Sequence, residues 1–186
     1  MIKNIVLTTF LLTGIISAEN SVGLDINSED VELLGTYNLN STIGYTGGTS
    51  YLIDLSYLHT ENDDLFTIGL SGESALEAAP GLVFGFGFKT AFAEDFIAIP
   101  LLGKVKYILP FDSDIPTTSF LASFAYAPSV LTFSDGDTYS ELRLEADMEV
   151  ISNIHLFTGY RNIDTDYEAG DYNLNDSFYG GLKLSF

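Results

Sequence analysis

The sequence predicts an all-β protein, an antiparallel up-and-down transmembrane β-barrel of 8–10 strands. Three observations predict it: an N-terminal export signal, an apolar and polar alternation with a period of two along the remaining chain, and a final amphipathic segment that ends in Phe186. The chain has 186 residues, of which 46% are hydrophobic, so one folded domain after the signal is expected.

Residues 1–18 have the composition of a secretory signal peptide. Lys3 gives a short positive start, an apolar run follows from Ile5 to Ile16, and Ala18 is a small residue at the expected cleavage site. A run of about 12 residues is too short to span roughly 30 Å of hydrocarbon as an anchoring helix. We therefore expect residues 1–18 to be a signal peptide and residues 19–186 to form an outer-membrane β-barrel, since no later stretch is apolar enough for a spanning helix.

Ten segments of the mature chain show the alternation typical of strands with one apolar and one polar face. It is clearest in 81–92, and in 139–150 the polar face is almost entirely charged. The other candidate strands lie near 21–27, 31–39, 51–59, 65–72, 97–108, 118–127, 153–161 and 177–186. Strands of about 10 residues suit the roughly 25 Å apolar band of a membrane barrel. An eight-stranded barrel with an unusual N-terminal segment remains an alternative.

The basic residues indicate which face lies inside the barrel. If the apolar face points to lipid, every basic residue after Lys3 faces the lumen, as do the acids Asp25, Glu32 and Asp54. Because an unmatched buried charge costs several kcal/mol, we predict a lumen ion-pair network centred on Arg143. Its predicted members are Lys89, Lys104, Lys106, Glu141, Arg143, Glu145, Asp147, Glu149, Arg161 and Lys183. The opposite assignment, with the apolar faces inward, would describe a soluble lipocalin-like barrel.

The composition excludes several classes of function. A net charge of −19 argues against nucleic-acid binding, and the absence of cysteine removes disulfides, thiolate metal sites and lipoprotein anchors. We predict no enzyme, no cofactor and no metal site. No serine lies beside His59 or His155 in the sequence, and paired carboxylates such as Glu145 and Glu149 have basic neighbours that keep them ionised. The acidic segment 164–171 resembles part of a calcium loop, so weak divalent-cation binding stays open.

The chain ends in a segment that resembles the closing strand of outer-membrane barrels. Phe178, Leu182, Leu184 and Phe186 share one face of it, and this resemblance implies that the barrel-assembly machinery recognises Phe186 as an assembly signal.

Several short motifs in the C-terminal half together resemble the YfaZ family of predicted outer-membrane proteins. They are Tyr126-Ala127-Pro128-Ser129, Phe133-Ser134-Asp135, Leu144-Glu145-Ala146-Asp147, Phe157-Thr158-Gly159-Tyr160-Arg161 and Gly181-Leu182-Lys183-Leu184-Ser185-Phe186. The resemblance implies a barrel in the bacterial outer membrane and carries over no functional residue.

With both termini in the periplasm, the tight connection at 152–153 would be periplasmic and the longest connection, 162–176, would be external. Tyrosines near strand ends would form an aromatic belt facing lipid: Tyr37, Tyr51, Tyr57, Tyr107, Tyr126 and Tyr160.

Two functions are consistent with the sequence. The first is a small monomeric barrel with a plugged, ion-paired lumen and a structural or interaction role, contacting outer-membrane lipid, lipopolysaccharide or external partners through acidic loops. The alternative is a narrow pore for ions or small solutes, with inward charges that make it selective.

Overall fold

The computed structural model describes residues 20–44, 47–110, 116–167 and 170–186, without the side chain of Asp171. The predicted signal peptide, residues 1–18, lies outside these described residues. The fold is all-β, as predicted, and consists of one antiparallel sheet that closes on itself.

Ten strands form the wall of the barrel, and two short strands lie at one end of it. The strands are β1 (Ser21–Ile26), β2 (Val31–Asn38), β3 (Thr49–His59), β4 (Asp64–Ala75), β5 (Leu82–Phe92), β6 (Phe96–Ala98), β7 (Leu101–Ile108), β8 (Thr118–Ala127), β9 (Thr132–Ser134), β10 (Gly136–Ile151), β11 (Ile154–Tyr167) and β12 (Gly170–Ser185). A short helix, α1, spans Asn40–Ile43, and a 3₁₀ turn spans Ser129–Leu131. No helix within the described ranges is long and apolar enough to cross a membrane.

The barrel closes because β1 pairs with both β2 and β12, and β4 pairs with β5. The ten wall strands follow the ten segments predicted from the sequence, so the eight-stranded alternative is wrong. The small strands β6 and β9 pair with each other, and β6 also pairs with the end of β5. The predicted strand 97–108 is therefore two strands, separated at Ile99 and Pro100.

We call the end of the barrel that carries Asn20 and Phe186 the terminal end, and the opposite end the distal end. The connection at 152–153 is a tight turn at the terminal end, where Asn153 has a φ of 67°. The predicted long distal connection, 162–176, is wrong, because β11 continues to Tyr167 and β12 begins at Gly170. Here the polar residues Asn162, Asp164 and Asp166 lie on one face of β11 and Ile163 and Thr165 are buried on the other, so the segment lacks the apolar outer face by which the sequence predicts strands.

The exterior of the barrel is apolar around its circumference. Large exposed side chains include Phe86 (74% exposed), Phe178 (77% exposed) and Leu101, and similar residues occur on every wall strand. A continuous apolar surface of this extent is incompatible with a water-soluble monomer and fits the lipid face of a transmembrane barrel. The apolar faces thus point outward, and the soluble-barrel alternative is wrong.

Five of the six tyrosines predicted for the aromatic belt are exposed on this surface near strand ends: Tyr37, Tyr51, Tyr57, Tyr107 and Tyr126. Tyr160 is different. Because β11 extends beyond its predicted end, Tyr160 lies at mid-strand, paired with Leu144 and Phe178, and not in a terminal belt.

Candidate functional site

The candidate functional site is the barrel lumen, whose side chains form three layers along the axis. The distal layer is apolar, the central layer is an ion-pair network dominated by two arginines, and the terminal layer surrounds a cavity. Residues that alternate inward on the wall strands build most of these layers, and strand β6 and the β1–β2 turn add to them.

The distal layer is a small hydrophobic core, built from side chains of many strands around the barrel. Its buried members are Leu58, Leu65, Ala91, Phe96, Ala98, Ala127, Tyr139, Ile163 and Leu174. Tyr139 is 0% exposed, and its ring packs against that of Phe96 with centroids 5.9 Å apart. The Tyr139 hydroxyl donates a hydrogen bond of 2.6 Å to Glu141, which links this layer to the charged layer beneath it.

Arg143 and Arg161 form the middle of the central layer. They are direct register partners on β10 and β11, so two positive charges lie side by side. Like charges directly opposite each other destabilise a sheet unless anions compensate them. The compensation comes from across the lumen, where Asp25 and Glu32 are register partners on β1 and β2.

Both arginines of this cluster form ion pairs with carboxylates across the lumen, although Arg161 Nη2 and the two Asp25 carboxylate oxygens have no hydrogen-bond partner among the described residues. Arg143 Nη2 donates to the two Glu32 carboxylate oxygens at 2.8 and 2.9 Å, and its Nη1 lies 3.9 Å from Asp25. Arg161 is 0% exposed and contacts Glu32, Asp25 at 3.6 Å and Asp30 at 3.8 Å. Both guanidinium groups also lie over the ring of Tyr179, 5.4 and 5.2 Å from its centroid.

Glycines make room for the aromatic rings in this layer. Gly159 is the register partner of Tyr179, and a Cβ at Gly159 would lie only 2.5 Å from the Tyr179 hydroxyl oxygen. Gly181 stands in the same relation to Phe157, where a Cβ would lie 2.5 Å from the ring. Aromatic rings that cover a glycine on the neighbouring strand are a known means of fixing strand register.

The remaining lysines of the predicted network point inward, and three of them form ion pairs. Lys89 pairs with Glu141, and Lys104 pairs with Asp54 at 2.6 Å and with Glu73 at 3.2 Å. Lys183 pairs with Glu145 at 3.2 Å and with Asp147 at 3.0 Å, and Asp147 also contacts His155 at 2.7 Å.

Two predicted members of the network differ from this pattern. Lys106 faces the lumen but makes no ion pair with any described residue, and Glu149 accepts a hydrogen bond from the backbone N–H of Asn153. The ion pairs of Arg143 cross the lumen to Glu32 and Asp25 and do not run to Glu141 and Glu145 on its own strand.

Sequence reasoning missed three polar members of the site. Glu73 lies inward on β4, which continues to Ala75. It stands two residues after the buried Ser71, so the two-residue period of the strand could have predicted its inward position. Asp30 and Asn175 come from a turn and from the extended part of β12, and Asn175 accepts a hydrogen bond from Arg161 Nε at 2.9 Å. No local pattern in the sequence marks either of them.

The terminal layer contains a cavity of about 500 Å³ that reaches the terminal end of the barrel. Hydroxyl groups, the Lys104 and Lys183 ion pairs and a group of apolar side chains line it. A smaller cavity of about 170 Å³ lies deeper, next to Lys89 and Arg143.

A short hydrogen bond joins the β11–β12 hairpin to the β3–β4 turn at the distal end. The Tyr172 hydroxyl donates to the Asp63 carboxylate at 2.5 Å, and this bond raises the pKa of Tyr172 to about 12. Asp164 and Asp166, from the segment considered for calcium, lie on β11, where they bind Asn173 and Thr138. The described residues contain no group of three or more acidic or histidine side chains placed to hold a metal ion.

The C-terminal part of the chain is similar to a known protein family. Residues 106–186 match the family model described as YfaZ precursor. The resemblance found in the C-terminal half of the sequence is confirmed over that part of the chain, from β7 to the end of β12.

Solved barrels with similar folds have low sequence identity to this chain. A structure described as "KdgM porin" matches with a TM-score of 0.49 and 9% identity, covering 90% of this chain and 98% of that one. A structure described as "NanC porin structure in rhombohedral crystal form" matches with a TM-score of 0.46 and 11% identity, covering 91% and 100%. No curated protein matches the chain. The closed barrel and its apolar exterior agree with the predicted location in the bacterial outer membrane.

Proposed function

We propose that the protein is a small outer-membrane barrel with a closed, non-conducting lumen and a structural or interaction role. The observation that carries this proposal is the distal apolar layer, to which strands around the barrel contribute buried side chains. A water-filled channel leaves its lining side chains accessible to water, whereas Tyr139, Phe96, Leu58 and Ile163 are at most 1% exposed.

The central layer supports the same proposal. An ion entering the lumen would have to displace carboxylates that are already paired with Arg143 and Arg161. Separating one partner of a buried pair typically costs about 3–5 kcal/mol, which opposes rapid passage. The fixed charges therefore act as a structural element of the lumen in this proposal and not as a selectivity filter.

The distal end is the surface available for interaction. Its exposed acids include Glu29, Glu61, Glu94, Asp95, Asp135 and Asp137. Such a surface repels nucleic acid and suits contact with lipopolysaccharide through bridging cations or with basic external partners. We also propose that the protein is a monomer surrounded by outer-membrane lipid.

An enzymatic role is not part of the proposal. His59 contacts Asp64 at 2.6 Å at the exposed distal end, and His155 contacts Asp147 in the lumen. Glu32, Glu141, Glu145 and Asp147 are held in ion pairs with arginine or lysine, an arrangement typical of structural pairing. Neither a cofactor nor a metal ion is required by the proposed role.

Planar-bilayer recording tests the closed lumen. We expect the parent protein to give no steady single-channel steps, because the distal layer blocks the path. The triple variant Phe96→Ala, Tyr139→Ser, Arg143→Met removes the two aromatic rings of that layer and one arginine of the central layer, and should produce measurable conductance. Phe178→Ala, which changes an exposed residue on the outer surface, serves as the matched control and should stay silent.

A narrow pore is the second candidate, and the cavity of about 500 Å³ in the terminal half favours it. Steady conductance steps from the parent protein that change on replacing Arg143 with methionine would reject the closed lumen and support the pore.

The proposed recognition by the barrel-assembly machinery rests on the position of Phe186. Its backbone N–H donates to the carbonyl of Asn20 at 2.9 Å, next to the β1–β12 pairing that closes the barrel. We expect Phe186→Ala to lower the amount of assembled, heat-modifiable barrel in outer-membrane fractions several-fold. Phe178→Ala, on β12 and more exposed on the outer surface than Phe186, should assemble nearly as the parent does. Equal assembly of the two variants would contradict a signal in the last residue.

A further inference from the structure

A groove of about 550 Å³ crosses the outer surface of strands β7, β8, β10 and β11. Small side chains form its floor, namely Ala122 on β8, Ala146 on β10 and Thr158 on β11. Ala146 is the register partner of Thr158, and the Thr158 hydroxyl donates to the backbone carbonyl of Tyr179 at 2.8 Å. The floor therefore presents methyl groups to the lipid, because the one hydroxyl in it is already bonded.

Large apolar side chains stand on both sides of this floor. Leu144, Tyr160 and Phe178 are register neighbours on β10, β11 and β12 and form one wall, in which the two ring centroids are 5.1 Å apart. Phe120 and Tyr107 are register partners on β8 and β7 and form the other wall. On β8 and β10 each large residue of the groove has an alanine as its register partner, which keeps the space between the walls open.

The two ends of the groove lie at different depths in the membrane. Tyr107 is the second-to-last residue of β7, at the terminal end of the barrel, and is one of the exposed tyrosines near strand ends. Leu144 and Phe178 lie at the middle of β10 and β12. Tyrosine belts mark the level of the lipid headgroups, so the groove extends from that level toward the middle of the bilayer. An acyl chain of the leaflet at the terminal end covers the same depth.

The charge of the outer surface indicates which headgroup such a lipid carries. All basic residues after Lys3 lie on the inward face of their strands, and the chain has a net charge of −19. Recognition of anionic headgroups uses clusters of lysine or arginine at the membrane surface. An anionic headgroup would find no such countercharge on this barrel, whereas a zwitterionic headgroup requires none.

We propose that this groove binds one acyl chain of a zwitterionic phospholipid from the leaflet at the terminal end of the barrel. The chain lies on Ala122, Ala146 and Thr158, and the rings of Phe120 and Tyr160 contact its sides. An empty groove would forfeit the dispersion contacts of its walls, whereas a flexible hydrocarbon chain can follow its shape. The site is on the outside of the barrel, so it depends neither on a closed nor on a conducting lumen.

Native mass spectrometry of the full-length barrel in a non-ionic detergent, with added palmitoyl-oleoyl phosphatidylethanolamine, tests the site. We expect the parent to retain one phosphatidylethanolamine molecule under conditions where phosphatidylglycerol with the same chains is retained about five-fold less. Ala146→Phe places a ring on the floor of the groove and should lower the retained lipid about ten-fold. Val150→Phe is the matched control, since it adds a ring to the same outer face of β10 outside the groove, and it should retain lipid as the parent does.

A second filling variant keeps the test valid if Ala146→Phe assembles poorly. Ala122→Phe blocks the part of the floor on β8 and should also lower the retained lipid about ten-fold, while heat-modifiable migration on gels stays normal. Equal retention of phosphatidylethanolamine by the filled variants and the parent overturns the proposal. Equal retention of the two lipids by the parent, or no retained lipid, overturns it as well.

Discussion

Arg161→Met should be among the most destabilising single substitutions in this barrel. Arg161 is completely buried and contacts three carboxylates, so its removal leaves Asp25, Asp30 and Glu32 with far less positive charge. Removing one partner from a buried ion pair typically costs about 3–5 kcal/mol, and this position serves several pairs. We expect a loss of about that size in the free energy of unfolding, measured by urea titration of the barrel in lipid vesicles.

Two companion variants give this prediction its specificity. Glu32→Gln combined with Arg161→Met removes one of the unmatched negative charges and should recover part of the lost stability. Lys106→Met removes a lumen cation that has no ion pair among the described residues, so it should cost less than about 1 kcal/mol. Equal losses for Lys106→Met and Arg161→Met, or no loss for either, would show that the ion pairs of the central layer do not determine stability.

Leu144→Arg should also destabilise the barrel strongly, but for a different reason. Leu144 is exposed on the outer surface at the middle of β10, where a charged side chain would lie in hydrocarbon. Arginine on the lipid face at the bilayer midplane costs about 2–4 kcal/mol. We expect that loss in the same urea titration, and Glu32→Gln should not rescue it because no lumen charge is involved.

The matched control places the same charge outside the hydrocarbon. Ile43 is exposed on helix α1 at the terminal end, beyond the wall strands, so Ile43→Arg should change stability by less than about 1 kcal/mol. A Leu144→Arg variant as stable as Ile43→Arg in vesicles would contradict the lipid-facing assignment of the apolar exterior.

The positions of the candidate strands and the direction of their side chains could be predicted from the sequence. Side chains of a strand alternate between two faces whatever lies around it, so the alternation in 139–150 specifies that Arg143 and Leu144 point in opposite directions. The lipid environment then decides which face is outside, because only the apolar one can contact hydrocarbon. The inward position of Lys89, Lys104, Lys106, Arg143, Arg161 and Lys183 follows from that rule alone.

The ends of the long strands could not be predicted in the same way. An apolar face on the lipid side identifies a strand in the sequence, whereas in the distal part of the β11–β12 hairpin the outer face is polar and Ile163 and Leu174 face the core. Segment 162–176 consequently has the composition of a loop, although backbone pairing between Asp164 and Asn173 and between Asp166 and Asp171 continues through it.

The sequence by itself determined the barrel class, the positions of the candidate strands and the inward face of the charged residues, because these depend on a two-residue period that is local to each strand; the choice of ten wall strands over eight needed the closed sheet. Only the tertiary structure decided which charges pair. Arg143 bonds to Glu32, 111 positions away, because closure of the barrel through β1 and β12 brings β2 opposite β10. The distal apolar layer likewise assembles Leu58, Phe96 and Tyr139 from separate strands, since the curvature of the closed sheet directs their side chains to a common axis.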